Sequence, residues 1–164
     1  VTDSDSTNPP QPGWWVSPLA RVLVVLQFGL AAWLFLNTPW TVWPPAAQLV
    51  VAGSLLLMGG GIAIWAWWVM GLRRLRIMPH PAQQAMLLRH GPYRRIRHPM
   101  YAGLLLAGLS CVLWYSTAAR IAVWLGLLAV LICKTHIEEQ LLREKFPDYV
   151  HYASRTWRYF PGLW

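Results

Sequence analysis

Charge is what this sequence has least of. Asp, Glu, Lys and Arg make up 12% of its 164 residues, and just six are acidic, whereas charged residues form about a quarter of an ordinary soluble domain. That shortage excludes the usual solvated globular surface. Cysteine is scarce too: Cys111 and Cys133 both lie in apolar stretches. Two such cysteines build neither a disulfide framework nor a metal-ligand pattern, so no metal is expected and both read as small side chains packed between helices. The first eighteen residues are polar, Pro-rich and without a basic start, so no cleavable leader is expected.

What is present is apolar and aromatic. Hydrophobic residues account for 56% and there are twelve tryptophans, a side chain that favours the membrane–water interface. The net charge of +8 raises the question of nucleic acid. The basic residues stand between long apolar runs, where a bilayer already accounts for them, so no nucleic-acid partner is expected and membrane lipids are.

The expected architecture is all-α: a polytopic membrane protein of about four transmembrane helices in one membrane-embedded domain. Residues 1–18 form a flexible N-terminus, with Trp14 and Trp15 at the interface. Spans are expected over 19–36, 46–70, 99–114 and 118–133, each near the length that crosses about 30 Å of hydrocarbon. Only Tyr115, Ser116 and Thr117 separate the last two, which predicts a tight helical hairpin. Residues 134–164 form a cytoplasmic C-terminal helical segment. Orientation follows from where Lys and Arg are missing. The turns at 37–45 and 115–117 have none, while Arg73, Arg74, Arg76, Arg89, Arg94, Arg95 and Arg97 lie between the second and third spans. Four spans with both termini cytoplasmic satisfy the positive-inside rule. Gly59, Gly60 and Gly61 read as a surface for close helix approach in preference to a hinge.

Ionisable residues are nearly absent from the spans, which argues against a pump, channel or transporter and directs attention to two cytoplasmic segments. The first ends in GPYRRIRHPMY, residues 91–101. Pro99 suits the first position of a helix, and the N–H groups of Met100, Tyr101 and Ala102, with Arg97 and His98 beside them, are expected to form an anion site. A basic anchor for lipid headgroups explains the same residues. The second segment opens KTHIEEQLLREKFPDYVHY. Glu138 and Glu139 are adjacent carboxylates, which calls for a cationic partner. Arg143, four residues on, serves Glu139 and leaves Glu138 unexplained. The hairpin returns both segments to one face, and an anion site beside a cation site suits a zwitterion.

RHPMYAG, an apolar hairpin and then EEQLLREKFPDYVHYASRTWRYFPG together resemble the isoprenylcysteine carboxyl methyltransferase family and its prokaryotic relatives, and the Glu-Glu motif is similar to that of phospholipid N-methyltransferases. The resemblance covers about residues 88–162. It implies S-adenosylmethionine as methyl donor and a lipophilic small molecule or lipidated substrate as acceptor. A bacterial or archaeal cytoplasmic membrane is the setting it implies. By that resemblance Arg97, His98 and Tyr101 contact the cofactor and the Gly91, Pro92, Tyr93 turn closes over it. Glu138 and Glu139 hold its methionine end, with Glu139 also placed at the reacting centre. Arg155 orients an anionic group of the substrate. Two other readings accompany it: a nicotinamide-dependent membrane reductase of the sterol type, which carries a different acidic motif, and a non-enzymatic membrane scaffold. Neither the acceptor nor the oligomeric state is legible.

Overall fold

The computed structural model describes residues 18–76 and 87–162, with the backbone alone over 72–76. The expectations for Trp14, Trp15, Arg73, Arg74 and Arg76 lie outside the described side chains. Five α-helices follow in order: α1 Pro18–Leu36, α2 Ala46–Arg76, α3 Pro99–Trp114, α4 Ala118–Lys145 and α5 Tyr149–Ser154, with a 3₁₀ turn at Gly91–Arg94 before α3. No β-strand occurs among the described residues.

Each boundary has a local cause. Pro18 and Pro99 open α1 and α3, where a missing N–H costs nothing. Asn37 Nδ2 and Thr38 Oγ1 donate to Trp33 O (3.0 Å) and Leu34 O (2.6 Å) and close α1 before Pro39. Thr117 caps α4 by accepting from Arg120 N at 3.3 Å. The expected second span ends at Met70, but its helix runs on to Arg76, since nothing from Gly71 onward breaks it. The C-terminal segment is less helical than expected: α4 continues to Lys145, and only the six residues of α5 follow before an irregular tail.

Pro18–Leu36, Ala46–Gly71 and Ala118–Lys145 are long and apolar enough to cross a membrane. The 16 residues of α3 extend about 24 Å at helical rise, short of a hydrocarbon core of about 30 Å. Yet α3 is the most enclosed helix, with nine buried residues including Gly103, Ala107 and Cys111. Leu34, Leu105, Cys111, Val112, Leu127 and Leu131 form the buried core. Cys133, expected between helices, is instead exposed. So are Val25, Phe28, Leu57, Ile64 and Trp67, an apolar exterior of the kind lipid solvates.

Only one glycine of the Gly59–Gly60–Gly61 run makes the expected close approach. A Cβ on Gly59 would stand 2.6 Å from Gly103 O, and one on Gly103 would stand 2.5 Å from Gly59 O, while Gly60 and Gly61 meet nothing within 4 Å. Thus α2 and α3 touch backbone to backbone, as small residues permit in membranes. Trp124 Nε1 donates to Leu105 O at 3.0 Å and ties α4 to α3.

The end of the bundle away from the glutamates is held by an arginine. Arg120, 4% exposed, donates to Thr38 Oγ1 (2.9 Å), Cys111 O (3.1 Å) and Asn37 O. The Trp114 ring packs at a tilt against those of Trp40 and Trp43 there, with centroids 5.1 and 6.1 Å apart. One end of α3 therefore meets the loop after α1, and its other end meets the glutamates of α4.

Candidate active site

The site forms where α3 begins, beside the part of α4 that extends beyond its apolar run. The RHP segment is fixed by the tail, which lies alongside it. Trp157 N donates to Arg95 O (2.9 Å), Arg97 N to Trp157 O (2.7 Å) and His98 N to Arg158 O (3.0 Å), around a parallel bridge between Ile96 and Trp157. This strap brings Arg158 into the cluster.

The two glutamates have different environments. Glu139 is sequestered, its side chain 3% exposed. Arg97 Nε donates to its Oε1 at 2.8 Å, and Arg158 reaches Oε2 through Nε at 3.1 Å and Nη2 at 3.0 Å. Burial pushes its pKa up, but His98, Arg158 and Arg97 close by override that and hold it down at about 2. The expected Arg143 partner is peripheral: it stands 4.0 Å away and is largely exposed, because two arginines from outside α4 occupy the carboxylate first. Arg97 also donates to Ala153 O at 2.7 Å and to Thr156 O, so one side chain joins α4, α5 and the tail.

Glu138 is more open, its side chain 17% exposed. Its Oε1 accepts from Tyr101 OH at 2.7 Å, and its Oε2 lies 3.6 Å from His98 Nδ1. The His98 and Tyr101 rings are parallel within 3°, centroids 5.5 Å apart. A carboxylate with one direct hydrogen bond keeps acceptor capacity for a cation. Lys134, a turn before Glu138 and 8% exposed, donates to Gln27 Oε1 at 2.9 Å and lies 5.0 Å from the Tyr101 ring centroid.

A cavity of about 230 Å³ opens beside this cluster, lined by Leu87, Leu88, Tyr93, Arg97, His98, Leu142, Phe146, Tyr149 and Tyr152. Tyr149 OH, a buried polar atom of the lining, has no hydrogen-bond partner among the described residues, while His98 Nε2 stands 3.5 Å from Glu139 Oε1, a long contact without hydrogen-bond geometry. The unpaired hydroxyl carries a desolvation cost that a ligand relieves. Burial, and then the charge of Glu138, push the Tyr93 phenol up to about 12, so it stays a neutral donor. Burial pushes the Tyr149 phenol upward as well.

Gly91, Pro92 and Tyr93 form the 3₁₀ turn. Gly91 has φ +58°, and a Cβ there would meet Val69 Cγ2 at 2.8 Å, so glycine suits both the left-handed backbone and the contact with α2. Tyr152 OH donates to Tyr93 O at 2.6 Å and holds the turn against α5.

Two expectations need revision. The N–H groups of Tyr101 and Ala102 both donate to His98 O, at 3.1 and 3.0 Å, so they are spent within the first turn of α3 and do not form an anion site. Arg155 is not brought to the glutamates. It is exposed at the end of α5 and lines a separate cleft with Arg89, Arg94, His151, Tyr152 and Thr156. The sequence reading missed Arg158, Tyr149, Tyr152, Lys134 and Gln27. Arg158 stands in the quoted tail, three residues before Pro161, and the one available signal was that Arg143 served Glu139 alone and left the adjacent Glu138 without a cation.

No curated protein and no solved structure matches the chain. Residues 47–149 match the family model described as phospholipid methyltransferase, the family that includes the isoprenylcysteine carboxyl methyltransferase type. The match takes in α2, the Gly91 turn, RHPMY, the hairpin and both glutamates, and excludes α1 and most of the tail. It favours methyl transfer over the reductase and scaffold readings: this chain belongs to the phospholipid methyltransferase family.

Proposed function

We propose that the chain transfers a methyl group from S-adenosylmethionine to a lipophilic acceptor held in the membrane, at the cytoplasmic face. The observation that carries this reading is Glu138, fixed by Tyr101 and faced by His98, beside a cavity whose lining includes the unpartnered Tyr149 hydroxyl. A half-open carboxylate suits an ammonium, and the orphaned Tyr149 OH suits a polar atom of a ligand. These residues fit the cofactor: Glu138 would hold its amino-acid end, with His98, Tyr93 and Tyr149 along its length. When bound, it supplies a sulfonium methyl already activated for displacement.

The protein's own part is positioning and exclusion of water. Tyr101 orients Glu138. Glu139, wholly engaged by Arg97 and Arg158, acts as a positioning residue that holds the tail against the RHP segment. Leu87, Leu88, Leu142 and Phe146 give the cavity an apolar wall. An acceptor carboxylate of the isoprenylcysteine type meets these conditions, as does another membrane-soluble nucleophile. In this reading Arg155 stays outside the reacting centre. Four crossings with both termini cytoplasmic complete it, supported by α3 reaching from the glutamates to the Trp40–Trp114 end.

Calorimetric titration of S-adenosylhomocysteine into the detergent-purified chain tests the proposal. Saturable binding on the order of micromolar is expected, lost in Glu138→Gln and His98→Ala and kept in Lys145→Gln. Failure of the folded wild type to bind overturns it.

A further inference from the structure

The cleft that receives Arg155 has no part in the reading above. It holds about 240 Å³ and is lined by Arg89, Arg94, His151, Tyr152, Arg155 and Thr156. Arg89, Arg94, His151 and Arg155 are all exposed. The one acid paired with a lining residue, among the described residues, is Asp148, 3.3 Å from Arg89 and itself 83% exposed. Three guanidinium groups thus share one concavity, and one of them is paired with a well-solvated carboxylate that does not line it. Like charges gathered this way repel, and an anion in the cleft offsets that cost.

The cleft walls are set by the packing of the protein. Tyr152 is buried and anchored through its hydroxyl to Tyr93 O at 2.6 Å, and Arg89 lies 6.0 Å from its ring centroid. Thr156 is tied to Tyr152 O at 2.7 Å and to Arg97 at 3.4 Å. Arg94 comes from the 3₁₀ turn and Arg155 from the end of α5, two segments that the strap holds together. The walls are therefore held by the protein itself, and the arginines come from three different segments of the chain.

We propose that this cleft binds the phosphate of an anionic phospholipid headgroup. Guanidinium forks match phosphate oxygens in pairs. Arg94 lies five residues before the start of α3, beside the apolar helices, where headgroup phosphate is the most concentrated anion a membrane offers. The cleft is distinct from the cofactor cavity: Glu138, His98 and Tyr101 do not line it, and Tyr152 forms the wall the two share.

Native mass spectrometry of the purified chain, titrated with dioleoylphosphatidylglycerol, dioleoylphosphatidylcholine or inorganic phosphate, tests this. Saturable binding of phosphatidylglycerol over phosphatidylcholine is expected. Arg94→Gln/Arg155→Gln weakens it by about tenfold for each lost charge-assisted contact, and Arg94→Lys/Arg155→Lys by less. Removing two charges that do not line the cleft, Arg21→Gln/Lys145→Gln, changes it by less than about twofold. Thermal unfolding of every variant checks that it is folded. Equal losses in the two glutamine double variants mean diffuse charge attraction and overturn the site. Saturable inorganic phosphate binding without preference for phosphatidylglycerol overturns the lipid assignment.

Discussion

Glu139→Gln is expected to damage stability far more than Glu138→Gln, although the residues are neighbours on one helix. Glu139 is the shared counter-ion of Arg97 and Arg158, whose side chains are 9% and 12% exposed. The amide leaves both guanidinium groups without a compensating charge and turns an N–H₂ group toward one of them. Breaking a buried ion pair by removing one partner costs about 3–5 kcal/mol. For a chain of this size about 2–4 °C is lost per kcal/mol, so the unfolding midpoint falls by about 6–20 °C. Glu138→Gln keeps an oxygen for Tyr101 OH and loses one charge-assisted contact, at a cost of about 1 kcal/mol. Its midpoint falls by about 2–4 °C, while cofactor affinity carries most of the effect. Both midpoints are read by fluorescence-detected unfolding in one detergent. Equal losses in the two variants, or an unchanged midpoint for Glu139→Gln, would refute the division of labour between the glutamates.

The same carboxylate predicts an acid limb. Its pKa is about 2 in the folded chain against an ordinary 4.5, so its stabilisation is complete above pH 4.5 and is lost as pH falls toward 2. Unfolding midpoints across that window should decline in the wild type and flatten in Glu139→Gln; a wild-type decline confined to pH 6–7 contradicts the assignment. At the α2–α3 contact, Gly103→Ala places a Cβ 2.5 Å from Gly59 O and 3.0 Å from Ala63 and should cost about 1–3 kcal/mol by overpacking. Gly60→Ala meets nothing within 4 Å and should leave the unfolding midpoint unchanged or raise it, so equal losses at both glycines remove close approach as the explanation.

Much of this arrangement was legible in the sequence because it rests on short-range rules. Apolar runs bounded by Pro, Trp and Arg mark the helices, and three residues between two runs force the hairpin. The hairpin alone brings RHPMY beside the glutamates. What the sequence left hidden depends on long-range backbone pairing. The bridge between Ile96 and Trp157 uses main-chain groups and leaves no side-chain pattern, so nothing in the tail indicates that Arg158 turns toward Glu139 while Arg155, three residues earlier, turns to another cleft. The glycine run is similar. Three adjacent glycines are equivalent on paper, and only the rotation of α2 against α3 selects Gly59. Gln27 and Lys134 meet across 107 positions of sequence, and neither carries a local sign of its partner.

Both ends of the bundle bury arginine, and the difference between them explains why chemistry belongs to one. Arg120 is satisfied by Thr38 and by the carbonyl oxygens of Asn37 and Cys111. Two of these acceptors cluster where α1 ends and one lies near the end of α3, regions of partial negative charge that a cation complements. None of them is an ionised acid, so the guanidinium donors are spent on uncharged oxygens and no carboxylate stands at that end to meet a cationic ligand. At the other end Arg97 and Arg158 are satisfied by an ionised carboxylate, Glu139. Because those two arginines are spent on Glu139, its neighbour Glu138 is left with a tyrosine hydroxyl and one nitrogen of a histidine whose other nitrogen faces Glu139. The clamp on one glutamate is thus the condition for the other to face a cationic ligand.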